Sequence, residues 1–164
     1  MKSMQFKDVI HNIKTLRIQS ADHVAREGIQ ALLLVLKESH VFTREALVAE
    51  LFYARNQLIE ARPTEPCLRN ALSYVFNNIY SYDDDDALYK GMAQRVREVI
   101  HYFDTAQTRI ASLGAAKIRH HSVVFTHCHS STVVHVLEHA KKQGKNFLVY
   151  NTETRPMWQG RQTA

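Results

Sequence analysis

Three short stretches put reactive or anion-binding side chains together. "VVFTHCHSST" (123–132) sets Cys128 between His127 and His129, followed by Ser130, Ser131 and Thr132. "TETRP" (152–156) offers Glu153 and Arg155, and "ARPTEP" (61–66) offers Arg62. A metal centre at the first stretch is disfavoured by spacing and geometry. Alternation along an extended segment turns Cys128 away from His127 and His129. With His120, His121, His135 and His139 added, the spacings still match no zinc signature. His135 and His139 lie one helical turn apart, a pair as readily exposed as liganded.

A nucleophile or base suits the pattern better. A cysteine just ahead of a helix N-terminus, with imidazoles beside it, has its thiol pKa drawn from about 8.5 toward neutrality. Such a thiolate can take a proton or attack an electrophile. Ser130, Ser131 and Thr132, with the free N–H groups of a helix start, form a cradle for phosphate. The plainer alternative is a small cysteine closing a strand, with serines that only cap the helix. On side-chain physics alone the plainer reading is the default. Glu153 and Arg155 divide in the same way: they hold substrate hydroxyls and phosphate, or they pair with each other. Arg62 at a helix end ordinarily complements the dipole. Cys67 and His11, His23, His40 and His101 read as structural, and "DDDD" (83–86) as a solvated loop before a helix start.

The elements that must position these residues change period along the chain. Apolar residues recur at helical spacing in "FKDVIHNIKTLRI" (6–18), and again in a helix capped by Ser20. A third helix starts at the Thr43 cap and stops near Arg62, ahead of the prolines. "CLRNALSYVFNNIY" (67–80) reads as a fourth. A long fifth ends near Gly114, a C-terminal glycine. After it "SVVFTHC" (122–128) reads as a strand, "STVVHVLEHAKKQGK" (131–145) as a helix and "NFLVYNTE" (146–153) as a strand. Together they form a parallel βαβ unit with a right-handed crossover. In open α/β sheets ligands sit at the carboxyl ends of strands, where both "THCHSS" and "TETRP" fall. The fold expected is α plus α/β: a helical domain over 1–115, then the first βαβ unit of an incomplete Rossmann-like domain over 116–164. A two-stranded parallel sheet with one crossover helix leaves both strands uncovered, so association with another polypeptide is expected.

Bulk properties agree with a globular protein that handles small anions. The 164 residues carry a formal net charge of +5, scattered rather than striped. No nucleic-acid motif accompanies that charge. No apolar run approaches the ~20 residues of a membrane span, and residues 1–20 lack a secretory signal pattern. Two unpaired-looking cysteines suit a reducing cytosol.

"THCHSSTVVHVLEHAKKQGK", "TETRPMWQGRQTA", "IKTLRIQSADHVAREGIQALL" and "ARPTEPCLRNAL" together resemble one family, across nearly the whole chain. That family unites the α, β and δ subunits of translation initiation factor 2B with ribose-1,5-bisphosphate isomerase and methylthioribose-1-phosphate isomerase. The resemblance implies an N-terminal half only, with Cys128 catalytic and Arg62, Ser130, Ser131, Thr132, Glu153 and Arg155 on the substrate. It implies aldose–ketose isomerisation of a sugar phosphate, with no metal and no cofactor. The catalytic aspartate and a substrate lysine of the isomerases belong to the other half, so the chain alone is expected to be inactive. Expected partners are the sugar phosphate and either further copies or a complementing C-terminal chain. Where the isomerases carry an "RGAG"-like segment, this chain has "QSAD" (19–22), which puts Asp22 where a phosphate should lie. That departure supports a rival reading, a non-catalytic subunit associating with initiation factor 2 or 2B subunits.

Overall fold

The computed structural model describes residues 5–164, and they fall into two compact units. One ends at His101 and the other comprises Tyr102–Ala164. The division between them falls inside a long helix.

The first unit is built from α1 (Phe6–Lys14), α2 (Ala21–Glu38), α3 (Arg44–Ala61), α4 (Pro66–Phe76) and the start of α5 (Asp85–Lys117). Local chemistry starts each helix. Ser20 and Thr43 accept the N–H groups of His23 and Ala46. Glu65 accepts that of Cys67 with Pro66 at the first helical position, where its missing N–H costs nothing. The four aspartates are a helix start rather than only a loop. Asp84 accepts the N–H of Ala87, and Asp85 and Asp86 occupy the first turn, where the dipole favours negative charge.

Two helices end earlier than their apolar stripes. α1 stops at Lys14 because Leu16 takes a left-handed conformation, φ 57°, and Arg17 N–H turns back to the carbonyl of Asn12. Such a C-terminal turn satisfies orphan carbonyls and redirects the chain toward the Ser20 cap. α4 stops at Phe76, where Asn78 adopts φ 58° and a 3-10 turn, Ile79–Ser81, follows. Asparagine tolerates that backbone better than most residues.

α2 is the hub, packing on α1, α3 and α4. Gly28 permits its close approach to α4, since a Cβ there would lie 2.5 Å from Leu68 Cδ1. Leu32, Leu51, Leu58, Leu68, Leu72, Leu88 and Met92 are fully buried around it.

The second unit holds the end of α5, then β1 (Ser122–His127), α6 (Ser131–Lys142) and β2 (Phe147–Thr152). β1 and β2 are parallel, in register from Ser122 opposite Phe147 to His127 opposite Thr152. Gly144, at φ 78° with open space around it, closes α6 as its position suggested. Gly114 does not end α5, which continues to Lys117. It lies where α6 crosses: a Cβ at 114 would come 2.7 Å from Val136 Cγ2. The glycine serves packing between helices, not termination.

Candidate functional site

β1 delivers Cys128 to the carboxyl edge of the sheet, one residue beyond the strand. There the backbone leaves extended geometry and takes φ 63°, a left-handed conformation that costs an L residue about 1–2 kcal/mol. Simple alternation therefore ends at His127. Two hydrogen bonds hold the strained residue from either side. Cys128 N–H donates to the carbonyl of Thr152 at 2.9 Å, and the Thr163 hydroxyl donates to the Cys128 carbonyl at 3.2 Å.

The sulfur faces the segment that follows β2. Cys128 Sγ lies 2.9 Å from Thr154 Oγ1, and the thiol donates to Gln159 Oε1 at 3.3 Å. The flanking histidines tie the same two segments together: His127 Nδ1 is 2.6 Å from Thr152 Oγ1, and His129 Nδ1 is 3.0 Å from Thr163 Oγ1. Both rings are thus engaged with threonines. Among the described residues, no three His, Cys, Asp or Glu side chains gather as a metal site requires.

Immediately after the thiol, Ser130 caps α6, its hydroxyl accepting Val133 N–H over a long 3.5 Å. Ser131 and Thr132 fill the half-buried first turn, where helical N–H groups lack intrahelical acceptors. This is the geometry of an anion cradle with a thiol at its rim.

The "TETRPMWQGRQT" loop is organised around Glu153, which does not pair with Arg155. Its Oε1 accepts N–H groups from Thr154 and Gly160, each at 2.7 Å, and its Oε2 accepts that of Arg161 at 3.1 Å. Partial desolvation pushes the carboxyl pKa up, but these three donors and the Arg161 cation outweigh it, so the net shift is down. Gly160 is buried and must be glycine: a Cβ there would sit 2.8 Å from the carbonyl of Thr152. Asn151 Nδ2 donates to the Gly160 carbonyl at 2.8 Å. Arg155 and Arg161 both stack on the Trp158 ring, 4.7 and 4.8 Å from its centroid. The Arg155 side chain is exposed to solvent.

Arg62 belongs to the helical unit. It donates to the carbonyl of Gln19 at 2.5 Å and lies 3.9 Å from Glu65 Oε2. The structure therefore joins two sequence features, the "RPT" arginine and the "QSAD" segment. Asp22 in that segment pairs with Arg26 at 2.9 Å. Nearby Cys67 is a poor thiolate: burial, then the Glu65 and Asp22 carboxylates, push its pKa up.

Thr154, Gln159 and Thr163 escaped the sequence reading. Nothing in their types marks them; they meet Cys128 only because the loop after β2 folds back over the loop after β1. Their one visible signal is position, directly behind a strand expected to end at a ligand rim.

A helical unit joined to a parallel βαβ unit, with a thiol ahead of a helix start at the strand ends, defines an α plus α/β protein. Residues 17–164 match the initiation factor 2 subunit family, and the chain belongs to it. Among curated relatives, the ribose 1,5-bisphosphate isomerase of Thermococcus kodakarensis is 36% identical over 161 residues, 96% of this chain and 50% of that protein. The fold is that of 5-methylthioribose 1-phosphate isomerase from Pyrococcus horikoshii OT3, with TM-score 0.84 and 23% identity over 96% of this chain and 47% of that one. It is equally that of translation initiation factor eIF-2B from the same organism, with TM-score 0.81 and 25% identity over 96% and 54%. The chain spans about half the length of the curated relatives it matches. Among the described residues no helix is long and apolar enough to cross a membrane.

Proposed function

We propose that this chain carries the thiol half of an aldose–ketose isomerase site for a phosphorylated pentose of the ribose 1,5-bisphosphate type. One observation carries the reading: Cys128 is held in a strained left-handed backbone at the strand end, its sulfur between Thr154 and Gln159, directly ahead of the α6 N-terminus. In the reaction, an acid outside these 164 residues protonates the ring oxygen as its bond to C1 opens. Cys128 takes the proton from C2 as thiolate and returns it to C1. The C2 hydroxyl gives its proton to the conjugate base of that acid, leaving the ketone and restoring every group. Ser130, Ser131, Thr132 and the first turn of α6 would hold phosphate, with Arg155 supplying charge. Glu153 supports this site through the loop backbone.

The test combines the chain with the unmatched half of the Thermococcus isomerase and follows ribose 1,5-bisphosphate consumption. Turnover that vanishes in Cys128→Ala is expected; turnover indifferent to that substitution, or none at all, rejects the isomerase.

A second reading, a non-catalytic subunit working through association with initiation factor 2 or 2B subunits, rests on a different observation. Arg62 is spent on the Gln19 carbonyl, and Asp22 sits in the first turn of α2, opposing phosphate there. Recovery of such subunits with the purified chain, with no sugar-phosphate turnover, would favour it.

A further inference from the structure

The helical unit holds a cleft of its own between α3, α4 and the turn that follows α4. Asn78, in its left-handed conformation, ends α4 and turns the chain so that Ile79–Ser81 comes back beside α3. The result is a row of three rings. Phe52 of α3 meets Phe76 of α4 at 5.1 Å between centroids, and Tyr80 stacks on Phe52 at 6.1 Å, 24° from parallel. Tyr80 is 74% exposed, so the end of that row stands open to solvent. Phe52, Phe76 and Tyr80 line an open cleft of about 610 Å³ together with Arg55 and Ser73, a size that suits a small organic molecule.

Charge narrows the class of molecule. Among the described residues lining the cleft, Arg55 alone is charged. Its guanidinium lies over the Phe76 ring, 5.5 Å from the centroid, which holds the cation against an aromatic wall. Among the described residues its Nε, closed off from water, has no hydrogen-bond partner. A buried donor left unpaired is costly, and native folds satisfy nearly all of them. An anion accepting from this guanidinium removes that cost. A planar carboxylate can take two parallel N–H bonds from the guanidinium fork. With one cation in the cleft and no second beside it, the charge balances a monoanion, not a phosphate dianion.

We propose that this cleft binds an aromatic monocarboxylate, its ring packed on Tyr80 and Phe52 and its carboxylate on Arg55. The ligand ring extends the existing row through offset or edge contacts, and the exposed Ser73 adds a hydroxyl donor. A neutral aromatic leaves Arg55 unpaired, and an aliphatic acid leaves the Tyr80 ring bare. No residue of the Cys128 loop takes part, so the site stands or falls apart from the isomerase reading.

Naphthoate titrated into the 164-residue chain and followed by amide NMR shifts tests it, with naphthalenemethanol, naphthyl phosphate and acetate as comparisons. Expected is saturable naphthoate binding, with shifts centred on residues 52–55 and 73–81, and with the alcohol and acetate weaker. Arg55→Gln should weaken naphthoate about tenfold or more and leave the alcohol unchanged. Tyr80→Ala, at an exposed position, should weaken both about threefold. Helical circular dichroism checks that each variant is folded. The ratio of acid to alcohol affinity in the unaltered chain tests the carboxylate contact even where Arg55→Gln misfolds. Equal affinity for acid and alcohol, tighter binding of the phosphate, shifts centred elsewhere, or indifference of a folded Arg55→Gln chain would each overturn the site. So would naphthoate that fails to saturate at millimolar concentration.

Discussion

The two units spend their apolar residues in opposite ways. In the helical unit Ile13, Val24, Ile29, Leu32, Leu51, Leu58, Leu68, Leu72, Val75 and Leu88 are completely buried. In the α/β unit the buried apolar side chains among the described residues are Ala111, Ala115 and Ala140, while Val123, Phe125, Leu148, Tyr150 and Trp158 face outward. The number of layers differs. Helices packed around α2 close a core by themselves, whereas one helix can cover only one face of a parallel sheet. The lesson is that a loop can be locally well ordered by hydrogen bonds on a unit that leaves one sheet face exposed. Hydrogen bonds with Thr152, Thr154, Gln159 and Thr163 meet at Cys128.

The sharpest way to break that contrast is truncation of large side chains. Leu72→Ala in the helical unit should cost about 2–5 kcal/mol, read by urea denaturation. Phe125→Ser in the lone chain should stay within roughly 0.5 kcal/mol. Equal losses would mean the sheet face is already covered.

Adding one methyl group tests the same difference. Gly28→Ala pushes a Cβ onto wholly buried Leu68 and should cost about 1–3 kcal/mol. Gly114→Ala meets half-buried Val136 at both methyl carbons, and that β-branched side chain has little rotamer freedom in a helix. The better helix propensity of alanine, up to about 1 kcal/mol, offsets part of that cost, so the drop in thermal midpoint should be smaller than at Gly28.

Caps come next. Thr43→Ala removes a 3.2 Å bond and should cost about 1 kcal/mol. Ser130→Ala removes one of 3.5 Å and should cost only a few tenths, measured in the same melts. A large loss at Ser130 would show α6 to depend on its cap more than its geometry implies.

The gentlest probe is pH. Because the Glu153 carboxyl is held below its ordinary value near 4.5, its stabilisation is complete above that pH. It is lost as pH falls through the lower folded value. Amide exchange of Gly160 and Arg161 should accelerate over that acid range, and Glu153→Gln should remove the dependence. An unchanged profile in Glu153→Gln would remove Glu153 from the centre of the loop.

Much of this was legible in residue order because it is decided locally. Ser20, Thr43 and Gly144 announce helix ends by side-chain or backbone chemistry that acts within a turn. The switch from a 3.6-residue to a two-residue period exposed the βαβ unit. Leu16 and Asn78 show the limit: left-handed turns end α1 and α4 inside continuing apolar stripes. Gly114 shows another, since a glycine that terminates a helix and one that admits a neighbour look alike until the neighbour is placed. At the site, Cys128, Ser130 and the loop after β2 were readable, but the Glu153–Arg155 pair was not formed. Three backbone donors in one loop offer a carboxylate more than one exposed guanidinium does.

Residue order by itself determined the helices and their caps, the parallel strands, and the placing of a thiol before a helix start, since each depends on neighbours within a few positions. Only tertiary structure decided that Cys128 turns left-handed toward Thr154 and Gln159, that Arg62 binds the Gln19 carbonyl, and that Phe125 and Tyr150 share a bare face. Those are meetings between segments far apart in the chain, and their energies exist only once both partners are in place.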